Sequence, residues 1–572
     1  MSIPYIPYLE RVISRTTSLS ILLSLLLIYA IRQWLLPHPI PGIPYNLKSS
    51  RKLFGDAPDM LREVKITKEQ NVWLAQQINK FQSPLCQVFI KPFSRPWILL
   101  ADSTEAQDIM MRRPEFDRSD IILDGLSPLG GFHARMKTGP SWKEAKAWLK
   151  DLVGPSYLNS IGSPIIYKNS VHLVEFWESK ARLANGRPFD VNEDLDHSTL
   201  DAMLLFVFGP HYKHTALGPH FEILSRLDSS SIEVGIHGEA RFLAAPLDEF
   251  ITSMYETVDA MDKVSQSMAP RAMMWWIRQS PRYKKFAAIK RRVVREQVRG
   301  ALKRLSTTRE TKAAIEYILA REKMAAEEQH RKPDFGSPIL EDEIAGLFIA
   351  GLHTISTTIA WSFIYLTRYP QIQEKLRLAL QTAYADAEAE KRAPTMIELT
   401  QTRVPYLEAL LEETLRLHAT TLTRQAVCDT EILGKPVPKG TNVFLIANGP
   451  GFHAPSFDIE PSLRSATAKP NNWDETRDLK VFDPERWLVH KKGKSWREAE
   501  FDANAAPQMA FGMGPRGCGG RRLAYLEMRM VITLVIWNFD LLSVPEVLAD
   551  PKARFGIVHQ ADQCFLRLKS RK

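Results

Sequence analysis

The sequence predicts a mainly α-helical body with small β-sheets, preceded by a single apolar N-terminal helix. Three observations carry this. Apolar residues recur at three-to-four spacing over residues 201–208, 247–264, 290–305, 339–369 and 372–385, the period of a half-buried helix. Strand-like runs are few and short, at 86–90, 97–100, 430–433 and 443–446, the last two separated by the turn-forming stretch 434–440. Residues 16–31 read TTSLSILLSLLLIYAI, with no charge between Arg15 and Arg32.

Taken in order, the uncharged run at ~1.5 Å per residue falls a little short of a ~30 Å hydrocarbon layer, but flanking arginines can snorkel and Trp34 suits the interface. No small-x-small cleavage site follows, so a retained membrane anchor is expected over a signal peptide. Residues 37–44, PHPIPGIP, cannot continue a helix and form a stiff hinge. Arg32, Lys48, Arg51 and Lys52 beyond the run outweigh Arg11 and Arg15 before it, which places the body in the cytosol. The expected division is therefore an anchor segment at 1–36, a hinge at 37–47 and one catalytic domain at 48–572.

Composition narrows the function. With 572 residues, 45% of them hydrophobic, the chain folds, and no linker divides it further. The net charge of +10 is scattered rather than striped, which argues against nucleic acid as a partner. Cys86, Cys428, Cys518 and Cys564 form no CxxC pair, so neither a disulfide scaffold nor a structural zinc site is expected.

Chemistry concentrates at one of these cysteines. Phe511-Gly-Met-Gly-Pro-Arg516-Gly-Cys518-Gly-Gly520 is a glycine-rich loop, and a helix is expected from Leu523. Backbone N–H groups, the positive helix end and Arg516, Arg521 and Arg522 all favour a thiolate at Cys518, as a metal ligand or a nucleophile; the plain alternative is a buried free cysteine.

The spacing Phe511-x-x-Gly514-x-Arg516-x-Cys518-x-Gly520 resembles the haem-thiolate signature of the cytochrome P-450 superfamily, most closely its microsomal fungal members. Glu413-Thr-Leu-Arg416 resembles the E-x-x-R helix of that family, and Phe482-Asp-Pro-Glu-Arg486-Trp its P-E-R-F segment. The resemblance implies the mainly helical P-450 fold, haem b held by Cys518, and a buried network of Glu413, Arg416 and Arg486 in place of a solvated helical ion pair. Ala350-Gly351-Leu-His353-Thr354 resembles the central helix reading A/G-G-x-D/E-T. There Gly351 would let a planar cofactor and O2 approach the backbone, and Thr354 would supply a hydroxyl for oxygen activation; a threonine bonded to the carbonyl one turn earlier is the alternative. His353 stands where the family has an acid, which leaves the proton route open between an imidazole relay and water held by Thr354. Trp142 and Lys146 occupy the place of W-x-x-x-R, with Arg516 and Arg424 as the other partners of the haem propionates; lysine keeps the charge but loses the planar fork.

The activity implied is O2- and NADPH-dependent monooxygenation of an apolar small molecule, a secondary metabolite such as a terpenoid or polyketide, at the endoplasmic reticulum membrane. The partners implied are NADPH–cytochrome P-450 reductase and cytochrome b5. Arg521, Arg522, Arg529, Lys143 and Lys150 suit the acidic flavin domain of such a reductase. Two alternatives are a haem-thiolate isomerase or dehydratase without O2, against which Thr354 speaks, and a non-catalytic haem sensor. Pocket walls are expected at 121–132, 247–276, after His418 and at 556–563; Met273-Met-Trp-Trp276 is also a candidate membrane-dipping surface. The substrate itself is not encoded in any legible motif, and the long stretch 453–480 has no assigned role.

Overall fold

In the computed structural model, which describes residues 6–307, 312–469, 473–490, 496–556 and 558–571, the uncharged run lies within one helix, Ile6–Leu35. No part of its apolar window Thr17–Leu35 is buried against the body. The hinge after it is docked, because the Gln87 side chain accepts from the Ile40 N–H at 2.8 Å and donates to the carbonyls of Ile40 and Ile43. Ile40 and Ile43 are buried beside it, so the proline segment packs against the strand Leu85–Val88, which follows three helices later in the chain.

The body is built around Pro338–Arg368, a 31-residue helix with Pro at its first turn. Its apolar residues are buried along most of its length, as expected of a helix enclosed by others. The helix Asn192–Phe208 lies alongside, extending well before the predicted 201–208. Its first half buries Asp194, His197, Ser198 and Thr199, polar residues that conceal the apolar period from a sequence reading. The other predicted helices appear as Glu249–Ser265, Pro281–Thr307 and Pro370–Ala383.

The largest sheet has five strands in the order Leu85–Val88, Trp97–Leu100, Asn442–Leu445, Leu422–Ala426 and Phe116–Arg118, with one parallel pairing, between Asn442–Leu445 and Trp97–Leu100. Period-two alternation divides its side chains: Ile98, Leu100, Val443 and Leu445 face one apolar cluster, and Trp97, Leu99 and Phe444 the other. The predicted strand-like runs 430–433 and 443–446 do not pair with each other. Thr430–Ile432 turns back at once through Leu433 and Gly434, both at positive φ, onto Lys435–Val437, while Asn442–Leu445 joins the large sheet. The shorter turn wins because two left-handed residues close a hairpin with matching twist.

The stretch 453–480, of which 470–472 lie outside the described residues, straps the helix Ser103–Met111. Arg464 binds both oxygens of Asp102, the Ser465 N–H donates to Glu105, and Thr467 donates to Asp108.

Candidate active site

The cysteine loop is shaped by glycine where nothing else fits. Gly512 and Gly514 have φ of +59° and +65°, and a Cβ on Gly514 would lie 2.3 Å from the Met110 carbonyl oxygen. The loop closes when the Cys518 N–H donates to the Phe511 carbonyl at 2.8 Å. Gly520 then caps a helix, Arg521–Asn538, that begins two residues before the expected Leu523. Backbone N–H groups of Gly520 and Arg521 point at the Cys518 sulfur, an anion-receiving arrangement at a helix start.

The surroundings alone nevertheless do not make a thiolate. Cys518 is solvent-accessible, but enough protein stands around its sulfur that burial pushes the thiol pKa up, ahead of the Gly520 N–H, the Arg118 charge and Arg521, which pull it down. Arg516, expected to help, is turned elsewhere: its guanidinium lies 4.6 Å above the Trp142 ring and donates to the Met136 carbonyl. A sulfur in this setting is deprotonated by coordination to a metal cation rather than by its neighbours.

Behind the loop, the helix Pro405–Leu417 presents two adjacent carboxylates with separate tasks. Glu413 holds Arg416 in a fork, at 2.7 and 2.8 Å, and also accepts from Trp487 Nε1 at 2.9 Å, Arg486 Nε at 3.4 Å and the Asp483 N–H. Arg416 donates onward to the Phe452 and Leu479 carbonyls. Glu413 and Arg416 are both fully buried. Glu412 accepts from Tyr525 and Gln508, tying this helix to the cysteine helix. Glu527, on the cysteine helix, is buried with neither oxygen partnered among the described residues, and burial pushes its pKa up to about 8.

A third cluster is of one sign. Arg118 and Arg424 stand directly opposite each other on paired strands, a destabilising arrangement for like charges. Burial, then the Arg118 charge, pushes Arg424 and Arg516 each down to about 10. Among the described residues Arg118 Nε and Arg516 Nη1 are buried atoms with no hydrogen-bond partner. Asp117 is the nearby carboxylate, and its oxygens are engaged by Thr138 and the Arg118 N–H. Such a cluster is completed by an anionic group from outside the chain.

The family model for cytochrome P-450 matches residues 60–451 and 458–565. The chain belongs to the cytochrome P-450 family. It is 39% identical to the cytochrome P-450 monooxygenase xilC of Penicillium crustosum over 548 residues, 95% of this chain and 94% of that one. It is also 34% identical to the cytochrome P-450 monooxygenase TRI13 of Fusarium sporotrichioides, over 96% and 98% of the two chains. This protein is accordingly a P-450 monooxygenase, of a family whose members carry haem on a thiolate and take O2 and NADPH-derived electrons through a reductase.

The residues fit that haem. The orphaned Arg118 and Arg516 donors and the cross-strand Arg424 suit two propionates, and the N–H groups of Gly520 and Arg521 suit an iron-bound sulfur. Lys146 departs from the expected contact. Its ammonium donates to the Pro515 carbonyl at 3.0 Å and lies 4.9 Å above the Trp142 ring, so it braces the cysteine loop.

The central helix of this P-450 also corrects one expectation. Gly351 is buried, and a Cβ there would meet Met203 Cγ at 2.6 Å, so its missing side chain serves helix packing and not the approach of a cofactor. Ala350 and Thr354 occupy the exposed face instead. Thr354 Oγ1 donates to the Ala350 carbonyl at 2.7 Å, the back-bonded arrangement, which leaves its lone pairs free to accept. His353 faces the neighbouring helix, its Nδ1 3.0 Å from Asp196 Oδ1. Arg118, Trp487 and Glu412 were not singled out by sequence reasoning. Trp487 directly follows Arg486 in a recognised segment and Glu412 directly precedes Glu413, whereas Arg118 sits in a three-residue strand with no pattern to mark it.

Proposed function

We propose that this P-450 is a membrane-anchored monooxygenase that inserts one oxygen atom from O2 into an apolar secondary metabolite of terpenoid or polyketide type, with Cys518 as the residue that would hold the haem iron. Haem supplies the oxygen chemistry when bound. Cys518 Sγ would hold the iron, with Phe511 and Gly520 shaping the loop; Arg118, Arg424, Arg516 and Trp142 would hold the propionates; Glu413, Arg416 and Arg486 would keep the wall behind the cysteine loop rigid. Thr354, on the exposed face of the central helix, would accept a hydrogen bond from water, and His353 would carry a proton towards it. The observation that carries the reading is the Cys518 loop, in which two backbone N–H groups point at a sulfur that burial alone would keep protonated.

The membrane assignment rests on the unburied helix Thr17–Leu35 and on Trp34, Trp275 and Trp276, each more than half exposed. The anchor, hinge and body then divide as 1–36, 37–47 and 48–572, with the body on the cytosolic face of the endoplasmic reticulum, where reductase and cytochrome b5 reside. Reduced, CO-treated protein should show the red-shifted Soret band of thiolate ligation, and Cys518→Ser should lose it while retaining the fold. A band unshifted at full haem occupancy overturns the ligand assignment. Comparison of metabolites with and without the chain identifies the substrate, and product formed in the absence of O2 would establish an isomerase or dehydratase instead.

A further inference from the structure

The proton-carrying histidine departs from the acidic residue of the family's motif, and the structure supplies a carboxylate from another helix. Asp196 of the helix Asn192–Phe208 brings Oδ1 to 3.0 Å from His353 Nδ1. The same oxygen accepts from Ser356 Oγ, three residues along the central helix and on the same face as His353. Thr199, three residues after Asp196, donates to the Leu352 carbonyl at 3.1 Å, which pins the two helices at this level. The other titratable neighbours are Tyr255 of the helix Glu249–Ser265, its ring centre 6.1 Å from that of His353, and His197, whose ring centre lies 4.8 Å from that of His220 with the planes tilted.

A carboxylate only accepts hydrogen bonds, so the ring nitrogen facing Asp196 must carry the proton. We propose that Asp196 is a positioning residue for His353: it holds the neutral imidazole as the Nδ1–H tautomer and leaves the Nε2 lone pair as the atom that accepts and passes on a proton. Ser356 fixes the carboxylate, and the carboxylate fixes the ring. Among the described residues Nε2 has no hydrogen-bond partner, and the side chain is 17% exposed, so water can reach that face. A histidine so oriented differs from an acid in the family position because its donor and acceptor atoms are separate, and the second residue chooses between them. This inference rests on the reading of His353 as a proton carrier, and its test separates the two.

The haem-loaded protein is examined as the diamagnetic ferrous carbonyl, with ¹⁵N-labelled histidine and the His353 signals assigned by their loss in His353→Gln. The wild-type ring should show the Nδ1–H tautomer, and Asp196→Ala should shift it towards Nε2–H. Asp196→Asn, whose amide oxygen still accepts, should keep the wild-type tautomer, and a normal carbonyl band reports that each variant is folded. Product formed per NADPH consumed should fall roughly tenfold in Asp196→Ala, the low end of what losing an orienting partner costs a metal-ligating histidine, and adding His353→Leu should lower it no further. An unchanged tautomer in Asp196→Ala overturns the inference. A shifted tautomer with wild-type coupling in both Asp196→Ala and His353→Leu supports the positioning role and overturns the proton-carrier reading.

Discussion

Two clusters of buried charge flank the cysteine loop, and they are opposites. Around Glu413 the charges are matched: the carboxylate takes Arg416, Arg486 and Trp487, and Arg416 reaches two backbone carbonyls beyond it. Around Arg118 they are not, since Arg118, Arg424 and Arg516 share one engaged carboxylate and, among the described residues, the buried atoms Arg118 Nε and Arg516 Nη1 have no partner. A buried cluster balanced within the chain is architecture, because removing one member strands the others. A buried cluster left unbalanced is a binding site, because only a ligand can complete it. Glu527 shows a third solution, in which a buried carboxyl without a partner remains neutral by keeping its proton.

The contrast breaks most visibly at Glu413. Glu413→Gln keeps the shape but strands Arg416 at zero exposure, and unfolding of the haem-loaded protein should show a loss of ~3–5 kcal/mol. A loss below ~1 kcal/mol would place the pair among ordinary solvated ion pairs.

The next effect is a dependence on pH. The folded pKa of Glu527, about 8, lies above its ordinary value of 4.5, so the folded state binds the extra proton between them. Its stabilising contribution is complete below pH 4.5 and is lost as pH rises through about 8. Denaturation midpoints measured across that window should decline with a slope of at most ~1.4 kcal/mol per pH unit from this group, and Glu527→Gln should remove that slope. An identical slope in the variant would mean that Glu527 is ionised and partnered.

The unbalanced cluster should respond in the opposite sense to the balanced one. Arg424→Leu removes one of two cations facing each other across paired strands, so resistance to protease should be unchanged. Haem should pass to an acceptor protein about tenfold faster, since a charge-assisted hydrogen bond contributes ~1.5–3 kcal/mol. Arg516→Leu should behave alike, and a collapse of folding in either variant would make this cluster architecture as well.

The smallest effect belongs to exposed charge. Arg521 lies 3.6 Å from Glu412 and Arg529 3.2 Å from Glu408, whereas Lys143, Lys150 and Arg522 are exposed, so these three carry more of the free positive field. Lys143→Glu should slow reduction by reductase about two- to fivefold at low salt and negligibly at high salt, as rim charges act on encounter rates. Equal rates at all ionic strengths place the docking face elsewhere.

Local chemistry made much of this protein legible in its sequence. Glycines that need positive φ, a cysteine before a helix start, and Glu413 and Arg416 three residues apart are constraints written within a dozen residues, so the loop, the ligand and the paired helix could be read directly. The helices with an unbroken apolar period were equally plain, whereas Asn192–Phe208 was half hidden by the polar residues it buries. What only the tertiary structure decided are the relations across distant segments. It set Arg118 against Arg424, gave Gly351 to Met203 instead of a cofactor, turned Asn442–Leu445 into the large sheet, and brought Asp196 to His353. These depend on which faces meet after packing, and a pair of residues separated by 157 positions leaves no periodic trace in either neighbourhood. The sequence therefore determined the kind of chemistry, through residue types at short spacing, and the fold determined which charges are answered within the chain and which await a ligand.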